Sequence, residues 1–205
     1  MTHVKVCGIT NLEDALAALD AGADMLGFNF YARSPRYVTP AAAREIVERL
    51  PAGATCVGVF VNEARPADVE RIAREAGLGA AQLHGDETPE YCRSLRGLKT
   101  IKALRVGPNY GAETAAAFDT DAVLLDAYVP GERGGTGHTF DWSLASQTRE
   151  RVARLFLAGG LTPENVASAV AAVRPYAVDV CSGVETSPGR KSPELMRRFV
   201  KAVGR

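Results

Sequence analysis

Two hydrophobic periods take turns along this chain. Residues 3–7 have a period of two: Val4 and Val6 fall on one side, and His3, Lys5 and Cys7 on the other, as successive side chains of a strand do. Asn11 or Thr10 then caps an amphipathic helix over 12–21, which Gly22 stops. The exchange recurs to the C-terminus. Apolar runs at 25–30, 56–61, 80–83, 100–104, 122–125, 152–157 and 176–180 read as strands. Helices are predicted at 40–50, 66–77, 89–95 and 112–118, after Asp141, and from Pro163 and Pro193. Thr39-Pro40 and Ser192-Pro193 are helix starts, with proline at the first position.

Eight βα units in sequence imply a parallel sheet with right-handed crossovers. Within 205 residues they predict one α/β domain over 1–205, a compact (β/α)8 TIM barrel. The rival, a doubly wound open sheet, usually carries G-x-G-x-x-G after its first strand. Here that position reads Gly8-Ile9-Thr10.

The strand face opposite the aliphatics is polar. Strand one offers Lys5 and Cys7, strand four Gln82 and then His84, and strand five Lys102. Strand six ends in Asp126, and strand eight offers Asp179 between the outward Val178 and Val180. A closed barrel gathers these groups in one interior, near the strand ends where barrel active sites lie. Strands one and eight are then neighbours, so Lys5 and Asp179 are expected to form an ion pair, since a buried charge needs a partner.

Composition removes several function classes. Lys plus Arg and Asp plus Glu are 24 each, so no basic stripe marks a nucleic-acid surface and no polybasic run marks a membrane. The N-terminus runs straight into a strand without a signal-peptide core. No apolar run approaches the ~20 residues that span a bilayer. Cys7, Cys56, Cys92 and Cys181 form no C-x-x-C pair, which fits a reducing cytoplasm better than a disulfide framework. The histidines, His3, His84 and His138, lack metal-ligand spacing. No metal is expected.

The remaining signals concern phosphate and protons. Gly135, Thr136 and Gly137, Gly159 and Gly160, and Ser182 and Gly183 lie on three late βα loops. Glycines let a backbone approach an anion with its N–H groups, and the late loops are the usual phosphate cradle of such barrels. One such segment is as readily a tight turn; three on adjacent loops favour phosphate. Cys7 alone reads as a small buried hydrophobe, and Asp126 alone as a turn residue. On two walls of one barrel mouth they read as a base and an acid. Lys5 is placed to favour the Cys7 thiolate. Asp126 suits protonation of a substrate oxygen if an apolar setting raises its pKa. Arg36, between Pro35 and Tyr37, has a planar fork suited to a carboxylate or phosphate. His84 is expected to satisfy a backbone group or to orient a ligand.

These residues fall in segments that resemble one known family, phosphoribosylanthranilate isomerase, over nearly the whole chain. The segments are 5–10 (KVCGIT), 28–30 with 34–37, 82–85 (QLHG), 124–126, 134–137 with 140–142, 157–161 and 182–185 with 188–189. The resemblance implies a cofactor-free Amadori rearrangement in tryptophan biosynthesis on a small phosphoribosyl substrate. It implies Asp126 as general acid and Cys7 as general base, with Arg36 on the anthranilate carboxylate and phosphate on the glycine loops. Lys5, His84 and Asp179 join the substrate-binding set. Two departures stand out. Cys181 replaces a usual serine, and Ser192 replaces an aspartate that often follows the lysine; both of the latter are good helix caps.

The rivals are other phosphosugar barrels, namely an epimerase, an indole-forming lyase or a bifunctional aminoaldose isomerase. From another class comes a phosphosugar-binding barrel without catalysis. Missing metal-ligand spacing disfavours the epimerase, and the thiol at Cys7 disfavours the other two enzymes. Retention of both Cys7 and Asp126 disfavours the non-catalytic barrel. Monomer and homodimer remain equally open.

Overall fold

In a computed structural model, which describes residues 1–127 and 141–205, eight parallel strands close into a barrel in chain order. The strands are β1 (His3–Cys7), β2 (Met25–Asn29), β3 (Thr55–Phe60), β4 (Ala80–Leu83), β5 (Lys99–Val106), β6 (Ala122–Ala127), β7 (Leu155–Leu157) and β8 (Ala177–Val180). The helices between and after them are α1 (Leu12–Asp20), α2 (Pro40–Val47), α3 (Pro66–Ala76), α4 (Pro89–Ser94), α5 (Glu113–Ala116), α6 (Trp142–Arg149), α7 (Val166–Val173) and α8 (Pro193–Ala202). The fold is the expected TIM barrel.

The helix starts follow their capping chemistry. The Asn11 side chain accepts from Asp14 N, Thr39 from Ala42 N, Thr88 from Tyr91 N and Ser192 from Leu195 N. Each satisfies one of the N–H groups that a helix leaves unpaired at its start. α7 begins three residues later than Pro163 predicts. Thr162 N donates to Asn165 Oδ1 at 2.8 Å, and Asn165 Nδ2 donates to Gly160 O at 2.8 Å. These local bonds hold the chain in a turn first. The sequence pattern also misses a short hairpin, β9 (Glu185–Ser187) with β10 (Arg190–Lys191), because its strands are too short to show a period.

Two apolar layers result. The outer one packs strand residues such as Val4, Val6, Phe28 and Leu157 against helix residues such as Ala15, Ala18, Val166, Met196 and Phe199. The inner one fills the lumen with Val57, Ala80, Ile101, Ala103, Ala122, Leu124, Phe156, Ala158 and Ala177. Inward and outward residues alternate, as the pleat requires.

That alternation corrects one expectation. On β5 it is Ile101 and Ala103 that enter the lumen. Lys102 faces outward, where its Nζ pairs with Glu87 Oε2 at 2.7 Å. The run 100–104 is apolar enough to be read in either phase, and a shift of one residue exchanges the faces. No helix among the described residues is long and apolar enough to cross a membrane.

Candidate active site

A cavity of about 670 Å³ opens at the C-terminal end of the barrel. Its lining includes Cys7 from β1, Gln82 from β4, Asp126 from β6 and Asp179 from β8. His84, Gly159, Gly160 and Ser182 join from the loops, with Arg36 from the loop after β2. Lys5 lies beneath it, fully buried. Gly183 stands behind the rim: a Cβ there would come within 2.0 Å of Leu161 O, so glycine lets the β7 and β8 loops touch. The calls on Gly135, Thr136 and Gly137 lie outside the described residues.

Register builds the β1 wall. Lys5 pairs with Asp179 across β1 and β8, and Cys7 with Gly27 across β1 and β2. Lys5 Nζ donates to Asp179 Oδ1 at 2.9 Å, with both side chains buried. Gly27 keeps this corner open, because a Cβ there would lie 2.7 Å from Cys7 Sγ and 3.1 Å from Lys5 Nζ. Gly8 has φ +77°, and a Cβ on it would strike Arg36 Cδ at 2.6 Å. The turn after Cys7 is therefore reserved for glycine on both steric counts.

The charges compete over Cys7. Burial raises its thiol pKa, and Asp179 adds to the rise. Lys5 is the largest influence the other way, with Lys191 behind it, but the net shift is upward. The expectation that Lys5 favours the thiolate holds in sign, but burial outweighs it. Burial also lowers Lys5, yet Asp179 and Cys7 together leave it above the ordinary lysine range. Asp179 is raised by burial, against the pull of Lys5.

The facing wall is built around Asp126. Its Oδ1 accepts from Ala127 N at 2.9 Å, and its Oδ2 lies 3.3 Å from His84 Nε2. Gln82 Nε2 and His84 Nδ1 are 2.9 Å apart. With Gln82 donating, Nδ1 is the acceptor and the neutral ring carries its proton on Nε2, toward Asp126. Among the described residues, that Nε2 makes no aligned hydrogen bond. Among the described residues, His84 therefore turns to a carboxylate and an amide, and its side chain meets no backbone group. Gly159, at φ +86°, sits so close that a Cβ would meet Ala127 N at 2.6 Å.

At the rim, Arg36 Nε donates to Glu185 Oε1 at 2.9 Å and Nη2 to Oε2 at 2.7 Å. This fork spends one edge of the guanidinium. Lys191 Nζ reaches the same carboxylate at 2.8 Å. Burial alone would raise Glu185, but Arg36 and Lys191 hold it below the usual carboxylate range. Cys181 adjoins this cluster, 3.7 Å from Lys191 Nζ. Burial pushes its thiol up to about 12 despite that ammonium. Glu185 and Lys191 sit on the hairpin that the sequence pattern does not reveal. The available signal was a pair of charges flanking the turn at Pro188-Gly189.

The model of the N-(5'-phosphoribosyl)anthranilate (PRA) isomerase family matches residues 4–202. The chain belongs to that family. A family member from Citrifermentans bemidjiense is 54% identical over 203 residues, covering 98% of this chain and 96% of its own. One from Trichlorobacter lovleyi is 50% identical over 201 residues, covering 98% and 97%. The crystal structure of the phosphoribosyl anthranilate isomerase of Thermotoga maritima matches with a TM-score of 0.91 at 46% identity, over 100% of this chain and 99% of that one. A family structure in complex with reduced 1-(o-carboxyphenylamino)-1-deoxyribulose 5-phosphate matches at 0.88 and 44%, over 100% and 99%. As a PRA isomerase family member, the chain is an isomerase of tryptophan biosynthesis with the barrel that its relatives share.

Proposed function

We propose that this isomerase converts N-(5'-phosphoribosyl)anthranilate to 1-(2-carboxyphenylamino)-1-deoxyribulose 5-phosphate, with Asp126 as general acid and Cys7 as general base. The observation that supports this most is the placement of the two groups. They line one cavity from β1 and β6, three strands apart around the ring. A small substrate between them meets an acid on one side and a base on the other.

The reaction moves protons and leaves the overall oxidation level unchanged. Protonated Asp126 gives its proton to the ribose ring oxygen as the bond from C1′ to that oxygen breaks. The anthranilate nitrogen supplies the electron pair, giving a Schiff base. The Cys7 thiolate then takes the proton from C2′, and the electrons left behind form an enolamine. Tautomerisation places the ketone at C2′ and a CH2 at C1′. General acid–base steps of this kind contribute typically ~10²–10⁴-fold each.

The rest of the pocket suits the ends of the substrate. Among the described residues, no backbone hydrogen bond engages the N–H of Gly159, Gly160, Ser182 or Gly183. Those groups are the proposed phosphate donors. Arg36, already locked by Glu185, offers the other edge of its fork to the anthranilate carboxylate. Asp179 and His84 take ribosyl hydroxyls, while Lys5 acts from below through Asp179 and Cys7. The four free cysteines, Cys7, Cys56, Cys92 and Cys181, fit a reducing cytoplasm.

The test is turnover of freshly made phosphoribosylanthranilate, followed by loss of anthranilate fluorescence, with and without a chelator. Turnover in both conditions is expected. No turnover, with inorganic phosphate still binding, would favour the non-catalytic barrel. Activity that a chelator abolishes would contradict the mechanism.

A further inference from the structure

Lys102 and Glu87 form another buried ion pair, on the outer side of β5. Both side chains are 2% exposed. The ammonium has three donors, and all three are spent: on Glu87 Oε2 at 2.7 Å, Gly85 O at 2.8 Å and Leu83 O at 3.2 Å. A further cavity of about 620 Å³ lies alongside Lys102, Arg105, Tyr110 and Phe118, but this ammonium has nothing left to offer a ligand there. What it holds is the backbone on either side of His84.

Glu87 grips the same segment from its other end. Its Oε2 accepts from Gly85 N at 2.9 Å, and its Oε1 accepts from Asn62 N at 2.8 Å. His84 N itself donates to Phe60 O at 2.8 Å. Residues 83–85 are thus pinned by one cation, one anion and the end of β3. Gly85 must be glycine for this, since a Cβ would fall 2.1 Å from Asn62 Oδ1.

Among the described residues, the side chain of His84 has a single hydrogen bond. Gln82 sets its ring rotation, but Nε2 meets Asp126 Oδ2 at 3.3 Å without an aligned hydrogen bond. The separation between ring and carboxyl is consequently set by where the backbone is fixed. A buried ion pair is a weak source of net stability compared with apolar residues of similar size. Stability alone therefore gives little reason for a charged pair here. A cation that binds the two carbonyls flanking His84 does a task that no aliphatic side chain can.

We propose that the Lys102–Glu87 pair is a positioning device that sets His84 against Asp126, and through it the rate of the proton transfer assigned to Asp126. This rests on the reading of Asp126 as general acid. Neither Lys102 nor Glu87 touches substrate; both act through the 83–85 backbone. Misplacement of a supporting group by about 1 Å can cost ~10²-fold in rate, so a modest slackening of this segment is enough to be read.

The experiment removes both charges together, as Lys102→Met/Glu87→Gln, so that no unpaired charge is left buried. It is compared with wild type, His84→Ala, the triple variant and Asp126→Asn, each checked by thermal melting. The expected result is a kcat at least ~10-fold lower for Lys102→Met/Glu87→Gln, with KM within about 3-fold of wild type. In the His84→Ala background the same two changes should alter kcat by less than about 2-fold, because the residue they act through is gone. A merely structural pair would instead lower kcat equally in both backgrounds, or not at all in a folded variant; either overturns the proposal. If Asp126→Asn keeps wild-type kcat, the general-acid reading itself fails. If His84→Ala keeps it while Asp126→Asn does not, only the positioning proposal fails.

Discussion

The lumen of this barrel has two halves built on the same eight strands, and they differ completely in character. The lower half is plugged by Val57, Ile101, Leu124, Phe156 and Ala177. The upper half carries Lys5, Cys7, Gln82, His84, Asp126 and Asp179, all buried. β1 and β8 are instructive because they cross the boundary. His3 and Ala177 are paired at the bottom, Lys5 and Asp179 two residues higher, and Cys7 two residues higher again on β1. Two residues along a strand, roughly 6.6 Å, separate packing from chemistry. The apolar plug holds the strands in register, and the register determines which charges meet. In the polar half Lys5 is matched by Asp179, because burial of a charge without a partner is costly.

The largest effect comes from placing an apolar residue in the polar half. Lys5→Met leaves Asp179 buried without its partner, a loss of the order of 3–5 kcal/mol in stability. It also removes the strongest influence that lowers the Cys7 thiol. The account predicts kcat/KM at neutral pH down by at least ~10²-fold. The rise of rate with pH, which follows thiolate formation, should move to higher pH.

Asp179→Asn sharpens the comparison by reversing the sign. Asp179 raises the Cys7 pKa whereas Lys5 lowers it. Its neutralisation should move that rise of rate to lower pH, even if KM worsens. Measured pH profiles of the two variants that shift the same way would contradict the electrostatic account. The smallest effect on activity belongs to the plug. Phe156→Ala should cost about 3–5 kcal/mol of stability by denaturant unfolding. Its kcat under conditions where it stays folded should remain within about 3-fold of wild type.

The same contrast explains what the sequence alone reveals. Period-two alternation on β1 and β8 places Lys5 and Asp179 face to face, because valines mark the outer side without ambiguity. β5 carries no such mark. Its run at 100–104 is apolar at most positions, and Lys102 is consequently read into the lumen although it faces Glu87 outside. The cluster of Arg36, Glu185 and Lys191 escapes prediction for another reason. Its members meet across 149 residues of chain, through a hairpin too short to have a period. Burial is likewise invisible in sequence: Lys5 beside Cys7 points toward a thiolate, but the depth of the pocket decides the net shift upward.

The division of labour between Cys7 and Asp126 is tested most directly by comparing the turnover of phosphoribosylanthranilate by wild type, Cys7→Ala and Asp126→Asn, each shown by thermal melting to be folded. The account predicts that both variants lose at least ~10²-fold in kcat. Wild-type kcat in either folded variant would contradict it, since one wall of the cavity would then have no part in moving the proton.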